Sequence, residues 1–430
     1  MLAFMAFYLD VSLFTGFFSL LAFMTRVKNK TRKQKFLCVE PSPPLLSGAL
    51  SVSTQNEKLW AYAQYLYDSL GQRIRLSELG TYQNKTFTYD VLMLFRQATI
   101  YEINERNRTC KKKALKDVFQ PWAVPKDASL LGQVVLGSSS GPGEGLLVNT
   151  WMGDLPQKNG KFMSTVTEFG CIPVSTVYHT DQFGWMVTSF FNNVIGISDP
   201  SRLNPPNFCT DAQPLLGNIM LQDQHSCDVN VKLKTTYFIL SASPPLLTGS
   251  FSVSTQNEKL MGFAKYSYDA LRKRIHLREV GSYNNKTFHI DLLLLYKEGV
   301  MYKINYKNRT CCKKPLSVDF HPLEIPQSAS LLGQVVLGSS SGPGQGVLVN
   351  TWAGELKLKE GTAKYMSTVT EFGCIPVSTL YHSEKSGWVV VSFFNGVIGL
   401  VDPQHLIPPG FCKDAQLESG EESITFFNLF

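Results

Sequence analysis

The chain of 430 residues contains one long segment twice. The stretch PPLLSGALSVSTQNEKLWAYAQYLYDSLGQRIRL begins at Pro43 and returns as PPLLTGSFSVSTQNEKLMGFAKYSYDALRKRIHL from Pro244. The offset is 201 residues as far as Trp151 and Trp352, and two additional residues near Gly361 then raise it to 203. This period is too long for a solenoid repeat and matches the size of one domain. We therefore expect two copies of one fold.

The duplication divides the chain into four segments. Residues 1–37 form a leader with a basic flank, residues 38–212 form copy 1, residues 213–243 form a linker, and residues 244–430 form copy 2 with an acidic-aromatic tail. Two interpretations of this arrangement stay open. The chain is either a genuine tandem protein or the product of two neighbouring genes joined in one sequence.

The leader fits a secretory signal imperfectly. Residues 1–24 are strongly apolar, but no basic residue precedes the apolar run and no small-residue cleavage site follows it. In a membrane helix Asp10 would cost about 3 kcal/mol near the centre. We interpret the segment as an imperfect secretory signal or as an incorrectly assigned first exon.

The positive charge is concentrated just after the leader. Six basic residues lie within residues 26–35, so the rest of the chain contributes little to the net charge of +7. No basic face with interleaved aromatic residues stands out, and we therefore expect no nucleic-acid partner.

Each copy has the residue pattern of antiparallel β structure. Residues 72–77 alternate polar and apolar side chains, which indicates a strand with one exposed face, and residues 65–71 supply a strand and turn before it. Residues 91–95 and 185–191 are apolar on both faces, as in strands that are buried on both sides or face a cavity. No helical stripe persists over three turns. We predict an antiparallel β-sandwich or open half-barrel in each copy.

The loop GSSSGPGEG, residues 137–145, contains the G-x-S-x-G pattern of a hydrolase nucleophile elbow, with Ser139 as the nucleophile. The loop returns in copy 2 with Ser340 at the same position. An elbow requires a strand before it and a helix after it, whereas residues 133–136 and 146–148 both have strand character. We therefore predict a hairpin connection and no enzyme activity, with a serine hydrolase as an alternative.

His179 and His382 occupy equivalent positions, and an acidic residue follows each of them two positions later. Such a pair can act as a base with its orienting acid, but a solvated loop is the commoner arrangement. No HExxH motif, CxxC pair or EF-hand loop is present in the sequence. We therefore predict no catalytic residue, no cofactor and no standard zinc or calcium cage.

Glycosylation signals indicate a secreted protein. Two N-x-T acceptors occur in each copy, in polar loops beside predicted strands, and this repetition favours real glycans. The acceptors are Asn84, Asn107, Asn285 and Asn308.

The nine cysteines suit an oxidising compartment. Copy 1 has four, for which three pairings exist, and the residues alone do not choose among them. They are Cys38, Cys110, Cys171 and Cys209. Copy 2 has Ile239 in place of the first and an additional cysteine beside the second. Its cysteines are Cys311, Cys312, Cys374 and Cys412, and Cys227 lies in the linker.

Several motifs resemble those of the ependymin family, secreted glycoproteins prominent in the extracellular fluid of fish brain. They are NKT, NRTC, MSTVTEFGCIPVS, VIGISDP, NPPNFC and the FFNLF tail. The resemblance covers nearly all of both copies. It implies an antiparallel β-sandwich, similar to bacterial lipoprotein carriers, around an apolar pocket for a lipid or another hydrophobic molecule. It also implies N-glycosylation, association with calcium, dimer formation and a role in cell–matrix adhesion.

The resemblance further implies three disulfides. These are Cys38–Cys171, Cys110–Cys209 and Cys311–Cys412. Cys374 lacks the counterpart of Cys38, and we hypothesise that Cys227 replaces it from the linker, because Cys312 neighbours a residue that is already paired. The residues that bind ligand or calcium are not identified.

We therefore expect a secreted, extracellular glycoprotein, with brain extracellular fluid and the lysosome as candidate locations. Its expected partners are a hydrophobic molecule or lipid, calcium and the extracellular matrix. The alternative is a structural adhesion protein that acts through its glycans and calcium. Because a tether raises the effective concentration of one copy near the other to the mM range, we expect the family-type dimer contact between the two copies of one chain.

Overall fold

The computed structural model describes residues 42–54, 58–125, 127–155, 160–180, 184–209, 243–255, 259–284, 286–325, 329–358, 361–383, 387–413 and 415–418. In these ranges both copies consist of β-strands with short 3-10 segments beside them. The predicted antiparallel β class is therefore confirmed. No helix in the described part of the chain has the length and apolar character needed to cross a membrane.

Eleven strands are described in each copy. Those of copy 1 are β1 (Leu45–Thr54), β2 (Leu59–Asp68), β3 (Arg73–Tyr82), β4 (Lys85–Leu94), β5 (Thr99–Asn104), β6 (Thr109–Ala114), β7 (Ser129–Gly137), β8 (Gly145–Leu155), β9 (Gly160–Thr167), β10 (Pro173–Thr180) and β11 (Gly184–Ile195). Those of copy 2 are β12 (Leu246–Thr255), β13 (Leu260–Asp269), β14 (Arg274–Tyr283), β15 (Lys286–Leu295), β16 (Val300–Asn305), β17 (Thr310–Pro315), β18 (Ser330–Gly338), β19 (Gly346–Leu358), β20 (Gly361–Thr370), β21 (Pro376–Ser383) and β22 (Gly387–Ile398).

The strands of each copy form one antiparallel sheet. Sequence neighbours pair, apart from β6 and β7, and the first strand also pairs with the last. The order in copy 1 is therefore β6-β5-β4-β3-β2-β1-β11-β10-β9-β8-β7, and copy 2 repeats it. The predicted hairpin at residues 65–77 is confirmed as the β2–β3 pair.

Both faces of strands β2–β4 are covered. We call the face that carries Tyr65 and Tyr67 the inner face, where Met93 packs beside them. Leu92 and Leu94 point to the opposite, outer face. Residues 91–94 are thus buried from both sides, as their apolar sequence predicts.

A disulfide fastens the end of each copy to the outer face. In copy 1 Cys110 in β6 is bonded to Cys209, with the Cα atoms 5.1 Å apart. In copy 2 Cys311 is bonded to Cys412 with a Cα separation of 5.3 Å. These two pairs are the ones that the resemblance implies. Cys171 is disulfide-bonded.

Two of the proposed disulfide partners cannot be placed. Cys38, the expected partner of Cys171, and Cys227, the expected partner of Cys374, lie outside the described residues. Their pairings therefore stay predictions.

The two copies contact each other through equivalent strands. Leu136 of β7 lies opposite Phe394 of β22, and Leu337 of β18 lies opposite Phe191 of β11. These contacts close the ten strands β7–β11 and β18–β22 into an antiparallel barrel. The apolar cluster inside it draws on both copies and comprises Leu136, Leu146, Val148, Val174, Leu337, Val347, Val349 and Val377. A shared, fully buried apolar cluster is typical of permanent interfaces.

The GSSSGPGEG loop joins β7 to β8 as a hairpin, which confirms the predicted turn. Gly137 has a φ of 82°, in the left-handed region that favours glycine. The loop also reaches the other copy, because Ser140 Oγ accepts a hydrogen bond from the N–H of Ile398 over 2.8 Å. Ser341 Oγ accepts the equivalent bond from Ile195 over 2.8 Å. A contact between the copies was expected, but the part that this loop plays in it was not predicted from the sequence.

Candidate functional site

The residues considered for hydrolase chemistry lie in separate places. The N–H of Ser139 donates to the carbonyl of Gly396 over 3.2 Å, at the contact between the copies. The ring of His179 packs edge-on against Trp185 at the β10–β11 hairpin, with centroids 5.2 Å apart, and His382 packs on Trp388 in the same way at 5.1 Å. The described contacts therefore place the serine and the histidine in different environments.

The inner face of copy 1 carries a cluster of aromatic side chains. Trp122 stacks on Tyr67, with ring centroids 4.5 Å apart and planes 8° apart. Its backbone N–H donates to the Tyr67 hydroxyl over 3.0 Å, which fixes the indole over the sheet. Tyr65 and Phe190 meet the same indole at 5.0 Å and 5.1 Å. Trp122 and the neighbouring Phe119 are only half-buried, so aromatic surface stays accessible at the end of this core.

Copy 2 builds the corresponding cluster with different residues. The Tyr268 hydroxyl accepts a hydrogen bond from the N–H of Leu323 over 3.0 Å, so the loop is attached as in copy 1. Leu323 takes the place of Trp122, and Phe320 stacks on Tyr268 at 5.9 Å. The apolar cluster of this copy also includes Tyr365, whose buried hydroxyl has no hydrogen-bond partner among the described residues. The inner faces of the two copies therefore hold the loop in the same way but differ in the polarity of their side chains.

The tyrosines of both clusters are neutral at physiological pH. Burial raises the pKa of Tyr65 and of Tyr67 above the ordinary range. It raises the pKa of Tyr268 and of Tyr365 to about 12. The Tyr365 hydroxyl can donate a hydrogen bond to a ligand without carrying a charge, whereas the Tyr65 hydroxyl already donates to Asn193 Oδ1.

A carboxyl group occupies the inner face of each copy, at Glu78 and Glu279. Glu78 lies opposite Ala63 of β2 and points to the same side as Ile74, four residues earlier in β3. Burial raises the pKa of Glu78, and Glu279 is 7% exposed. Sequence reasoning missed this pair. The available signal was an acid at an apolar position of the alternating pattern, repeated in both copies.

The outer face holds a buried polar contact that differs between the copies. In copy 1 the guanidinium of Arg75, which is 5% exposed, lies 2.7 Å from Asp90. In copy 2 the equivalent residue is His276, whose Nε2 lies 2.8 Å from Asp291 Oδ1. The His276 ring also stacks on His405, with centroids 5.1 Å apart.

The glycosylation acceptors Asn84, Asn107 and Asn308 are exposed in tight turns between strands. The fourth acceptor, Asn285, lies outside the described residues. Across the described ranges, no group of three or more His, Cys, Asp and Glu side chains is arranged to hold a metal ion.

Comparison with known proteins shows to which family this chain belongs. The ependymin family model matches residues 83–209 and 284–412, more than half of the sequence and one match in each copy. The chain belongs to the ependymin family. Ependymin-2 of Carassius auratus is 34% identical over 188 residues, which are 44% of this chain and 86% of that protein. Ependymin of Notemigonus crysoleucas is also 34% identical over 188 residues, with the same shares covered.

These relatives each align with a stretch of less than half of this ependymin-family chain, as expected for a duplicated domain. Among solved structures, the MucA/MucB complex of Pseudomonas aeruginosa matches with a TM-score of 0.22 and 11% identity over 82% of this chain and 89% of that chain. A likeness at this level carries no argument about the ependymin domain.

Proposed function

We propose that each copy binds an apolar or amphipathic molecule, such as a lipid, on its inner face, and that the protein is a secreted, non-enzymatic glycoprotein. The observation that carries the proposal is the half-buried aromatic surface of Trp122 and Phe119 over the buried Tyr67. Ligand sites are mostly apolar surfaces with a few placed polar groups. Glu78 in copy 1 and the Tyr365 hydroxyl in copy 2 supply such groups here.

The family resemblance supports the wider part of the proposal. On that basis the protein associates with calcium and contributes to cell–matrix adhesion, and its glycans lie at Asn84, Asn107, Asn285 and Asn308. The exposure of three of these acceptors favours glycosylation. We also propose that the contact between the two copies takes the place of the dimer contact of single-domain relatives.

Quenching of tryptophan fluorescence tests ligand binding in copy 1. A brominated fatty acid that contacts the inner face should quench Trp122 and therefore lose part of its effect in Trp122→Phe. The matched control is Trp185→Phe, because Trp185 lies at the β10–β11 hairpin against His179. Quenching that falls equally in both variants, or in neither, would contradict the assignment of the site to the inner face.

Native mass spectrometry distinguishes the proposal from a purely structural adhesion protein. Lipid that co-purifies with the secreted protein and is displaced by the brominated fatty acid supports ligand binding. A protein that carries no apolar molecule and binds none supports the adhesion alternative, in which the inner cluster serves only as core.

A further inference from the structure

The outermost strand of copy 2 is covered by the end of the chain. Strand β17 pairs with β16 on one side. On its other side Lys313 forms a parallel bridge with Leu417. The N–H of Glu418 donates to the carbonyl oxygen of Lys313 over 2.9 Å. The segment that follows the last cysteine is therefore added to the edge of the sheet.

A carboxylate accompanies this added segment. Glu418 Oε2 accepts a hydrogen bond from the thiol of Cys312 over 3.0 Å. Lys303 lies opposite Cys312 in β16, and Lys314 follows two residues later in β17. The edge of copy 2 thus holds an extended segment through a backbone hydrogen bond and through an acid placed among cations.

The equivalent edge of copy 1 has the same geometry. Lys112 of β6 lies opposite Tyr101, as Lys313 lies opposite Tyr302 in copy 2. The N–H and C=O of Lys112 therefore point away from β5, because both groups of one residue face the same side of an antiparallel strand. Within the described ranges β6 pairs with β5 alone. Lys112 is exposed, whereas Lys313 is half-buried.

Among the described residues, the edge of β6 is more basic than the edge of β17 at the position of Cys312. Lys111 stands where copy 2 has Cys312, and it is exposed. Glu102 lies opposite Lys111 in β5, but its carboxylate is bound by Lys113. Two arginines in the preceding turn add further positive charge. A carboxylate placed like that of Glu418 would therefore meet an ammonium group.

The segment that follows copy 1 does not carry this acid. Pro214 and Leu215 occupy the positions that Leu417 and Glu418 have after the last cysteine of copy 2. The donor to Lys313 in copy 2 is the N–H of Glu418, and its equivalent Leu215 has an N–H but no carboxylate. Lysines on an edge strand usually keep other strands away. In copy 2 the same edge nevertheless pairs with a segment that brings an acid beside Cys312.

We propose that strand β6 is a docking edge for an extended acidic peptide from a protein partner. The peptide pairs parallel with Thr109–Ala114, donates to the carbonyl of Lys112 and places a carboxylate beside Lys111. Main-chain hydrogen bonds hold the peptide, and the side chains give specificity, as in other cases of strand addition. This docking edge is independent of ligand binding on the inner face.

The probe is a fluorescent peptide with the sequence AQLESGEE, which corresponds to residues 415–422. We expect the secreted, full-length protein to raise its fluorescence anisotropy saturably. Lys111→Glu and Lys112→Pro should each weaken binding at least tenfold. Proline at position 112 removes an N–H that faces the open edge and therefore no β5–β6 hydrogen bond. Lys116→Glu, which lies beyond the strand, is the matched control and should change binding less than twofold.

If Lys112→Pro does not fold, the proposal can still be tested by reversing the charges of both the protein and the peptide. The peptide AQLKSGKK should bind Lys111→Glu better than it binds the unchanged protein, reversing the order found with AQLESGEE. No binding of AQLESGEE would overturn the proposal. It would also be overturned by binding that heparin displaces and that is unchanged in a folded Lys112→Pro, because this pattern indicates a polyanion-binding surface without strand pairing.

Discussion

Asn193 of copy 1 donates a hydrogen bond from Nδ2 to the carbonyl oxygen of Gly338 in copy 2 over 2.9 Å. The same amide donates to Pro173 O over 3.1 Å, and its Oδ1 accepts from the hydroxyl of Tyr65. One fully buried side chain therefore joins the inner cluster of copy 1 to the contact between the copies. The equivalent residue in copy 2 is Gly396, so this connection exists on one side only.

Asn193→Ala should lower the free energy of unfolding by about 2–3 kcal/mol, because it leaves the Gly338 carbonyl and the Tyr65 hydroxyl buried without that partner. Urea denaturation of the full chain measures the change. Gly396→Ala is the reciprocal variant, since a Cβ at this position would lie 2.9 Å from the carbonyl oxygen of Gly137. It should also be destabilising. If both variants lose less than about 0.5 kcal/mol, which is the usual effect of a surface substitution, this contact does not stabilise the protein as we expect.

The local structure of each copy follows closely from the sequence, whereas the contact between the copies does not. Alternation over residues 72–77 predicted the β2–β3 hairpin, because side-chain direction in a strand depends only on neighbouring residues. The hairpin at residues 137–145 followed from its glycines and flanking strands. The bond from Ile398 to Ser140 joins residues far apart in the chain, and no local pattern encodes such a distance.

The candidate site was predictable in class but not in position. The family motifs imply an apolar pocket, but they do not show that Trp122 stacks on Tyr67, because that contact depends on the path of the loop after β6. Glu78 escaped notice since an acid in an alternating strand ordinarily indicates the exposed face. Its burial is decided by the tertiary packing of the inner face.

The protein should be monomeric in solution, so that light scattering finds the mass of one chain, at most 48.1 kDa plus glycans. The strands that contact each other, β7 with β22 and β11 with β18, are already paired within the chain. They are therefore not available to a second molecule. A stable dimer of whole chains that persists on dilution would show that the contact forms between chains as well.

Glu78→Gln should stabilise the protein at pH 7 and have little effect at pH 4. Burial raises the pKa of Glu78 above its value in the unfolded chain. The folded state therefore binds this proton more tightly, and the stability due to the neutral acid is present below the unfolded pKa and lost as the pH rises through the folded pKa. Thermal unfolding at both pH values measures the difference.

The control for Glu78→Gln is Glu105→Gln, on the exposed side of the outer-face ion pair. Glu105→Gln should not show a stabilisation at pH 7 that disappears at pH 4. An equal shift of the melting temperature at pH 4 and pH 7 in Glu78→Gln would contradict the raised pKa of this group.

Asp291→Asn should destabilise the protein at pH 7, by about 2 kcal/mol for the lost charge-assisted hydrogen bonds, and progressively less below pH 4. Burial alone would raise the pKa of Asp291, but the hydrogen bonds and charges of His276 and Arg278 outweigh it and lower the pKa. A lowered carboxyl pKa contributes stability above the unfolded value, and this stability is lost as the pH falls through the folded pKa.

Other charged groups face the same cluster and set the control. His405 stacks on His276 and lies 3.4 Å from Asp402. Asp402→Asn removes an exposed carboxylate from this neighbourhood and should cost less than 1 kcal/mol in stability, as is usual for exposed pairs. If Asp291→Asn loses the same free energy at pH 3 as at pH 7, the cost comes from packing at this position and not from the hydrogen bonds and charges of His276 and Arg278.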